Sequence, residues 1–150
     1  MESGYAEDFV KFLVVFFALF AFIHLLDVSL LTSFLAGLEG FLLSSLGFAT
    51  VVSNSLLTVN SISFLVSVDC SGLVLIVLLF SLFVSTGVGS VRNFVFFSAL
   101  LFLFNIARLL LTIEVGGVFG FGVMEATHIF LWFVDSGVVF AIWLCVGGFI

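Results

Sequence analysis

"VRNFVFFSALLFLFNIARLLLTI", residues 91 to 113, decides the class of fold. The stretch is almost wholly apolar and has the roughly 20 residues that a helix needs to cross the hydrocarbon of a bilayer. At helical spacing its few polar residues, among them Asn105, Arg108 and Thr112, fall along one side. The stretch therefore predicts a membrane helix that carries one polar stripe.

The rest of the chain has the same character. Of its 150 residues, 64% are hydrophobic, 8% are charged and 23 are Phe, which excludes an ordinary water-soluble domain. The first apolar stretch follows an acidic head, Met1 to Asp8, and is interpreted as a retained span rather than a cleaved signal peptide. Including the quoted one, the apolar stretches are 9–27, 29–49, 71–90, 91–113 and 127–150. We expect an all-α integral membrane protein with about five transmembrane helices, forming one membrane domain over residues 1–150.

The segment from Thr50 to Asp69 is different in kind. Ser, Thr and Asn alternate there with β-branched residues, a pattern that favours short strands or a hairpin. Such backbone must lie in water or against protein rather than in lipid. We expect a short extracytoplasmic β-like segment before Cys70, with glycine-rich turns at 85–93 and 114–128.

One weak charge signal sets the orientation. Arg92 is the only basic residue of the turn between the third and fourth spans, so the positive-inside rule puts that turn in the cytoplasm. The chain then leaves the cytoplasm along the fourth span. Cys70, Arg108 and His128 would all lie towards the extracytoplasmic face.

Cys70 stands in the motif "DCSG", where we expect a helix to begin. A helix N-terminus stabilises a thiolate, which is the reactive form of cysteine. In the alternative interpretation Asp69 or Ser71 caps the helix and Cys70 only fills a gap. Cys145 lies inside an apolar span and is interpreted as a small structural hydrophobe.

Arg108 indicates a site because an ionised residue inside a span is costly. Asn105, three residues earlier, can brace it. The alternative is a structural pair with Asp135, which lies about 10 Å further along its helix than His128 and hence near the depth of Arg108. His128 opens the last span as either a proton carrier or an interfacial anchor. His24, with only Asp27 as a polar companion, is interpreted as structural.

Several classes of site are excluded. The two cysteines form no CxxC, and neither has metal-ligand spacing with a histidine, so we expect no metal, no disulfide and no cofactor. The net charge of −6 comes from scattered residues without a basic stripe, so we expect no nucleic-acid partner.

The motifs "VDCSG", "NIAR" and "ATHIFLW" occur in an order that resembles the exosortase and archaeosortase family of membrane cysteine transpeptidases. The resemblance covers about residues 50–145. It implies Cys70 as nucleophile, Arg108 as the group that stabilises the oxyanion and His128 as acid and base. We expect Asp69, Ser71, Asn105 and Asp135 to support these three residues.

The resemblance also implies a substrate and a location. The partners would be exported proteins whose C-terminal sorting region consists of a short motif, an apolar helix and a basic tail. The product would pass through a Cys thioacyl intermediate to an amine or hydroxyl acceptor, which includes a lipid head group. The enzyme would be a multi-pass protein of the plasma membrane with its active site outside.

Two other classes of function fit the same residues. A small channel or transporter would also place Arg, Asp and His within its spans. A non-catalytic accessory protein of envelope assembly would use intramembrane charges only to select helix partners. Neither alternative requires a reactive thiol.

Overall fold

The computed structural model describes residues 2–148, with side chains from residue 6 onward. In this part of the chain five helices and one three-stranded sheet follow the expected order, helical with a β segment before Cys70. The elements are α1 Glu2–Leu25, α2 Ser29–Ser45, β1 Thr50–Ser53, β2 Leu56–Val59, β3 Ile62–Leu65, a 3₁₀ turn Val68–Cys70, α3 Leu73–Thr86, α4 Val91–Phe119 and α5 Phe121–Gly147.

Three of the helices are long and apolar enough to cross a membrane: Ala6–Leu25 of α1, all of α4 and all of α5. This fits a membrane protein. Helices α2 and α3 are apolar but have 17 and 14 residues. At 1.5 Å per residue they are about 25 and 21 Å long, less than the roughly 30 Å of a hydrocarbon core. The expected count of five spans is therefore not confirmed.

Helix α3 is the central helix and packs against α1, α4 and α5. It runs antiparallel to α1, because His24 meets Asp69 at one end of the pair, while Phe9 and Phe12 line a common groove with Leu82 at the other. The core between α3, α4 and α5 consists of Leu75, Leu79, Phe83, Leu101, Val139 and Ile142.

Helix α2 does not return alongside α1. Its first turns, at Leu31 and Leu35, pack with Phe102 and Ile106 of α4, whereas Leu43 near its end packs with Ile113. It therefore runs in the same direction as α4 and continues beyond the end of α1. The link between α1 and α2 is short. Within it, hydrogen bonds from the side chain and backbone of Ser29 hold the pKa of the Asp27 carboxyl below its usual range.

The expected strands form an antiparallel meander in the order β1-β2-β3. Both links are two-residue turns, and Asn54, Asn60 and Ser61 have φ values of 52°, 48° and 71° there. Positive φ at the turn residues matches the right-handed twist of paired strands. The prediction of a hairpin in this segment is confirmed.

One face of the sheet packs between α2 and α4. Its buried residues Leu57, Val59 and Phe64 contact Leu43 of α2 and Ile113 of α4. Helix α2 approaches the sheet so closely that a Cβ on Gly40 would lie 2.4 Å from Cγ2 of Val52. This packing fixes the position of the sheet, whose last strand leads into the polar turn that carries Cys70.

The expected break at 114–128 is wrong, because α4 runs to Phe119 and α5 begins at Phe121. Gly120, with φ 90° and ψ 173°, is the only link between them. Gly116 and Gly117 lie within α4, and their lack of a side chain lets the sheet approach the helix: a Cβ on Gly116 would lie 3.0 Å from the Phe64 ring. His128 therefore lies two turns inside α5 rather than at its start.

Candidate active site

Cys70 lies in the 3₁₀ turn Val68–Cys70, and α3 begins only at Leu73. The expectation that Cys70 opens a helix is therefore wrong by one turn, because Gly72 adopts a left-handed φ of 81° between the two elements. The hydroxyl of Ser67 donates to Sγ of Cys70 at 3.6 Å. The hydrogen-bond donor to the thiol is therefore a serine hydroxyl rather than the N–H groups of a helix N-terminus.

Ser71 and Asn105 hold the turn in place. The buried Ser71 hydroxyl donates to the Val68 carbonyl and accepts from the backbone N–H of Leu73, although Gly72 rather than Ser71 is the N-cap of α3. Asn105 Nδ2 donates to the carbonyl of Cys70 at 2.8 Å instead of bracing Arg108. Gly72 makes this contact sterically available, since a Cβ there would lie 3.2 Å from Asn105.

Cys70 and His128 line the same cavity, which has a volume of about 260 Å³. Its walls come from β3 and the segment after it, from α4 and from α5. Most of the lining is apolar. The lining residues are Ser63, Phe64, Leu65, Val66, Cys70, Leu109, Thr112, Ile113, Phe121, Met124 and His128.

Arg108 and Asp135 form an ion pair behind this cavity. Nη1 of Arg108 donates to Oδ2 of Asp135 at 2.6 Å, and the two side chains are 2% and 0% exposed. The pairing that the sequence offered as an alternative is thus present. Arg108 does not itself line the cavity, but the next residue, Leu109, and Thr112 one turn later do.

The ion pair leaves donors and acceptors unused. Within residues 6–148, Nε and Nη2 of Arg108 and Oδ1 of Asp135 are buried without a hydrogen-bond partner. His128 lies within electrostatic range of Arg108, Asp135 and Asp69. The structure thus brings the three residues of the sequence trio to one end of the bundle, with thiol and imidazole at the cavity wall and guanidinium behind it.

His24 is a residue of this site that sequence reasoning missed. Its Nε2 lies 3.1 Å from Oδ1 of Asp69, and its Nδ1 lies 2.8 Å from the carbonyl oxygen of Phe20. Both partners are acceptors, an arrangement that the imidazolium form satisfies with its two N–H groups. In that form His24 places a compensating positive charge beside the Asp69 carboxylate and the Cys70 turn.

No spacing rule could have paired His24 with a residue 45 positions away. The usable signal is a ladder of aromatic rings at i+4 spacing on α1, Phe12, Phe16 and Phe20, which ends at His24. The Phe20 and His24 ring centroids are 4.3 Å apart. Such a ladder marks a structured face of the helix, on which a terminal histidine can be held in one orientation.

The site offers the parts of nucleophilic catalysis. A thiol and an imidazole open to one cavity, and a guanidinium with free N–H groups lies behind them. Within the described residues no group of three or more His, Cys, Asp or Glu side chains could hold a metal ion.

Comparison with known proteins gives no match: no family model, no curated protein and no solved structure is similar to this chain.

Proposed function

We propose that this protein is a membrane cysteine protease and transpeptidase of the exosortase and archaeosortase kind, which cleaves a C-terminal sorting signal of exported proteins. The observation that carries the proposal is the shared cavity of Cys70 and His128, with the free N–H groups of Arg108 behind it. The order of the three sequence motifs supports the same function.

In the first half-reaction the Cys70 thiolate, whose proton has passed to His128, attacks the carbonyl carbon of the scissile peptide bond. A C–S bond forms, the C–N bond breaks, and His128 delivers a proton to the leaving amine. The products are a thioacyl enzyme and a released C-terminal tail. Arg108 stabilises the negative charge of the oxyanion electrostatically, from behind the cavity wall.

In the second half-reaction an amine or hydroxyl acceptor attacks the thioester. His128 takes its proton, the new C–N or C–O bond forms, and the sulfur of Cys70 leaves. A lipid head group is one acceptor of this class. Asp69, Ser71 and Asn105 hold the turn that presents the thiol, and Asp135 holds the guanidinium.

The proposed location is the plasma membrane, with the Cys70 end of the bundle outside the cell. Arg92, in the first turn of α4, lies at the opposite end and favours the cytoplasmic side.

The proposal is tested by expressing the chain with a candidate exported protein that bears a C-terminal motif, an apolar helix and a basic tail. We expect processing by the unaltered protein and by Cys145→Ser, and none by Cys70→Ala. A membrane-impermeant maleimide should label Cys70 from outside and block processing. Full processing by Cys70→Ala would overturn the proposal.

A second candidate function is a non-catalytic accessory protein of envelope assembly. It is favoured by the Arg108–Asp135 pair, which joins α4 to α5 and needs no substrate. A channel or transporter would use the same charges along a path. In both cases alkylation of Cys70 would leave the activity unchanged, which separates them from the enzyme.

A further inference from the structure

The outer edge of β3 is an unpaired strand edge that leads to Cys70. In the described part of the chain the strand order is β1-β2-β3, so β3 pairs with β2 on one side only. Five residues after its end comes Cys70. An unpaired strand edge presents a row of backbone N–H and C=O groups that another extended chain can pair with.

The register identifies which groups are free. In the two-residue hairpin, Val59 and Ile62 form the hydrogen-bonded pair next to the turn, and such pairs then alternate along the ladder. The hydrogen bond from Val66 N–H to the Ser55 carbonyl, at 2.9 Å, confirms this phase. The N–H and C=O groups of Ser63 and Leu65 therefore point away from β2.

The cavity runs along this edge. Four consecutive residues, Ser63 to Val66, line it. A cavity over one face of a sheet would be lined by alternate residues, whereas a cavity along the edge meets every residue in turn. The opposite wall is one face of α5, formed by Phe121, Met124 and His128 at helical spacing. A peptide paired with this edge would lie between the two walls and beside the thiol.

We infer that β3 binds its substrate by strand addition: an extended peptide segment pairs with the free groups of Ser63 and Leu65 and presents its carbonyl carbon to Cys70. This inference rests on the proposed function and names the form in which the substrate is recognised. Main-chain hydrogen bonds supply the affinity, and alternate side chains of the peptide supply the specificity. The volume of about 260 Å³ and the apolar lining select small or aliphatic side chains at the inward positions.

The test uses the full chain with Cys145→Ser, so that Cys70 is the only thiol. The probe is acetyl-Ala-Val-Ala-Val chloromethyl ketone, on which the Cys70 sulfur displaces chloride and forms a C–S bond. Chloroacetone, which carries the same chloromethyl ketone group without a peptide backbone, is the reference reagent. We expect the peptide to gain about tenfold over the reference in rate, the order of magnitude for two added hydrogen bonds.

Leu65 offers a matched pair of variants. Leu65→Pro removes the outward N–H and leaves the β2 ladder intact, because proline is tolerated on a strand edge. Leu65→Ala shortens the same side chain, which is 66% exposed, and keeps the N–H. We expect Leu65→Pro to lose the peptide's advantage and Leu65→Ala to keep it, with equal chloroacetone rates. Equal peptide rates in the two variants would overturn the inference.

N-methylation of the peptide, one nitrogen at a time, tests the unaltered chain and does not depend on whether Leu65→Pro folds. Strand pairing predicts that sensitivity alternates along the peptide with a period of two. Equal sensitivity to N-methylation at every position overturns the inference. It is also overturned if β3 instead cross-links to a second copy of the chain and the peptide reagent reacts no faster than the reference. Because alkylation is scored on the thiol, a failure to process exported proteins would count against the proposed function and leave this result standing.

Discussion

The buried pair of Arg108 and Asp135 has two roles that must be separated, one in folding and one in chemistry. Removing one partner leaves a buried charge uncompensated, which typically costs about 3–5 kcal/mol, whereas replacing both with apolar residues is often neutral. We therefore expect Arg108→Met to lower the free energy of unfolding by about that amount. The double variant Arg108→Met/Asp135→Leu should recover near-normal stability in a detergent unfolding assay.

The same double variant decides the role of the guanidinium. If the Arg108 charge stabilises an oxyanion, processing of an exported protein stays lost although the fold is restored. If the pair is only structural, processing returns together with stability. An assay of both quantities on one preparation therefore distinguishes a catalytic role of Arg108 from a purely structural one.

His24 is expected to act on Cys70 through Asp69. Without the imidazolium, an unbalanced carboxylate lies next to Cys70 and repels the negative charge on the attacking sulfur. We expect His24→Gln and His24→Phe to slow maleimide labelling of Cys70 about threefold at neutral pH, the size of one charge several ångströms away in a wet environment. His24→Arg keeps the charge and should label at nearly the normal rate. Faster labelling in His24→Phe would mean that the pair covers the thiol instead.

The elements themselves contain one unexplained carboxyl. Glu39 of α2 is 0% exposed, and within the described residues neither of its side-chain oxygens has a hydrogen-bond partner. A charged carboxylate would be very costly there, so we infer that Glu39 is neutral. We expect Glu39→Gln to change the free energy of unfolding by less than about 1 kcal/mol and Glu39→Met to raise it by about 1–3 kcal/mol. A large loss of stability in Glu39→Met would contradict a neutral, unpartnered carboxyl.

The predictability of the elements follows from how local their causes are. Apolar length predicts the long helices, and alternation of Ser, Thr and Asn with β-branched residues predicts the strands, because both signals lie within the element. The glycines at 116 and 117 mislead, since they serve packing against Phe64 and Val59 rather than a turn. The direction of α2 depends on contacts with Phe102 and Ile113, which no local pattern contains.

The site divides in the same way. Cys70, Arg108 and His128 are visible in the sequence because each is a polar residue in an apolar setting. The contact between His24 and Asp69 is not visible in the sequence, because it joins two elements that are far apart along the chain. The 3₁₀ turn at Cys70 is also hidden, since its cause is the left-handed Gly72 beside Asn105.

For the whole molecule, the direction of α2 changes the expected sidedness. With α1 antiparallel to α3 and α2 continuing in the direction of α1, the N-terminal end of α1, the 87–90 turn and the C-terminal end of α5 lie at one end of the bundle. The hydrogen bond from Trp143 Nε1 to the Thr86 hydroxyl, at 3.0 Å, ties α5 to that end. Five alternating spans would instead put the N-terminus opposite Arg92.

Reporter fusions test this arrangement. We expect reporters at the N-terminus, at Val88 and at the C-terminus to indicate the same side of the membrane, and reporters inserted at Asn60 and Gly120 to indicate the other. The positive-inside rule predicts that the first group is cytoplasmic. Opposite signals from the N-terminus and Val88 would restore the five-span arrangement.

The single-residue link at Gly120 bears on how the protein is made. Two helices of 29 and 27 residues are joined by one glycine, which makes them a helical hairpin with almost no loop. If both cross the bilayer, we expect them to enter the lipid as one hairpin, with Arg108 and Asp135 already neutralised by each other. The buried ion pair is then a condition of biogenesis as well as a contact of the finished fold.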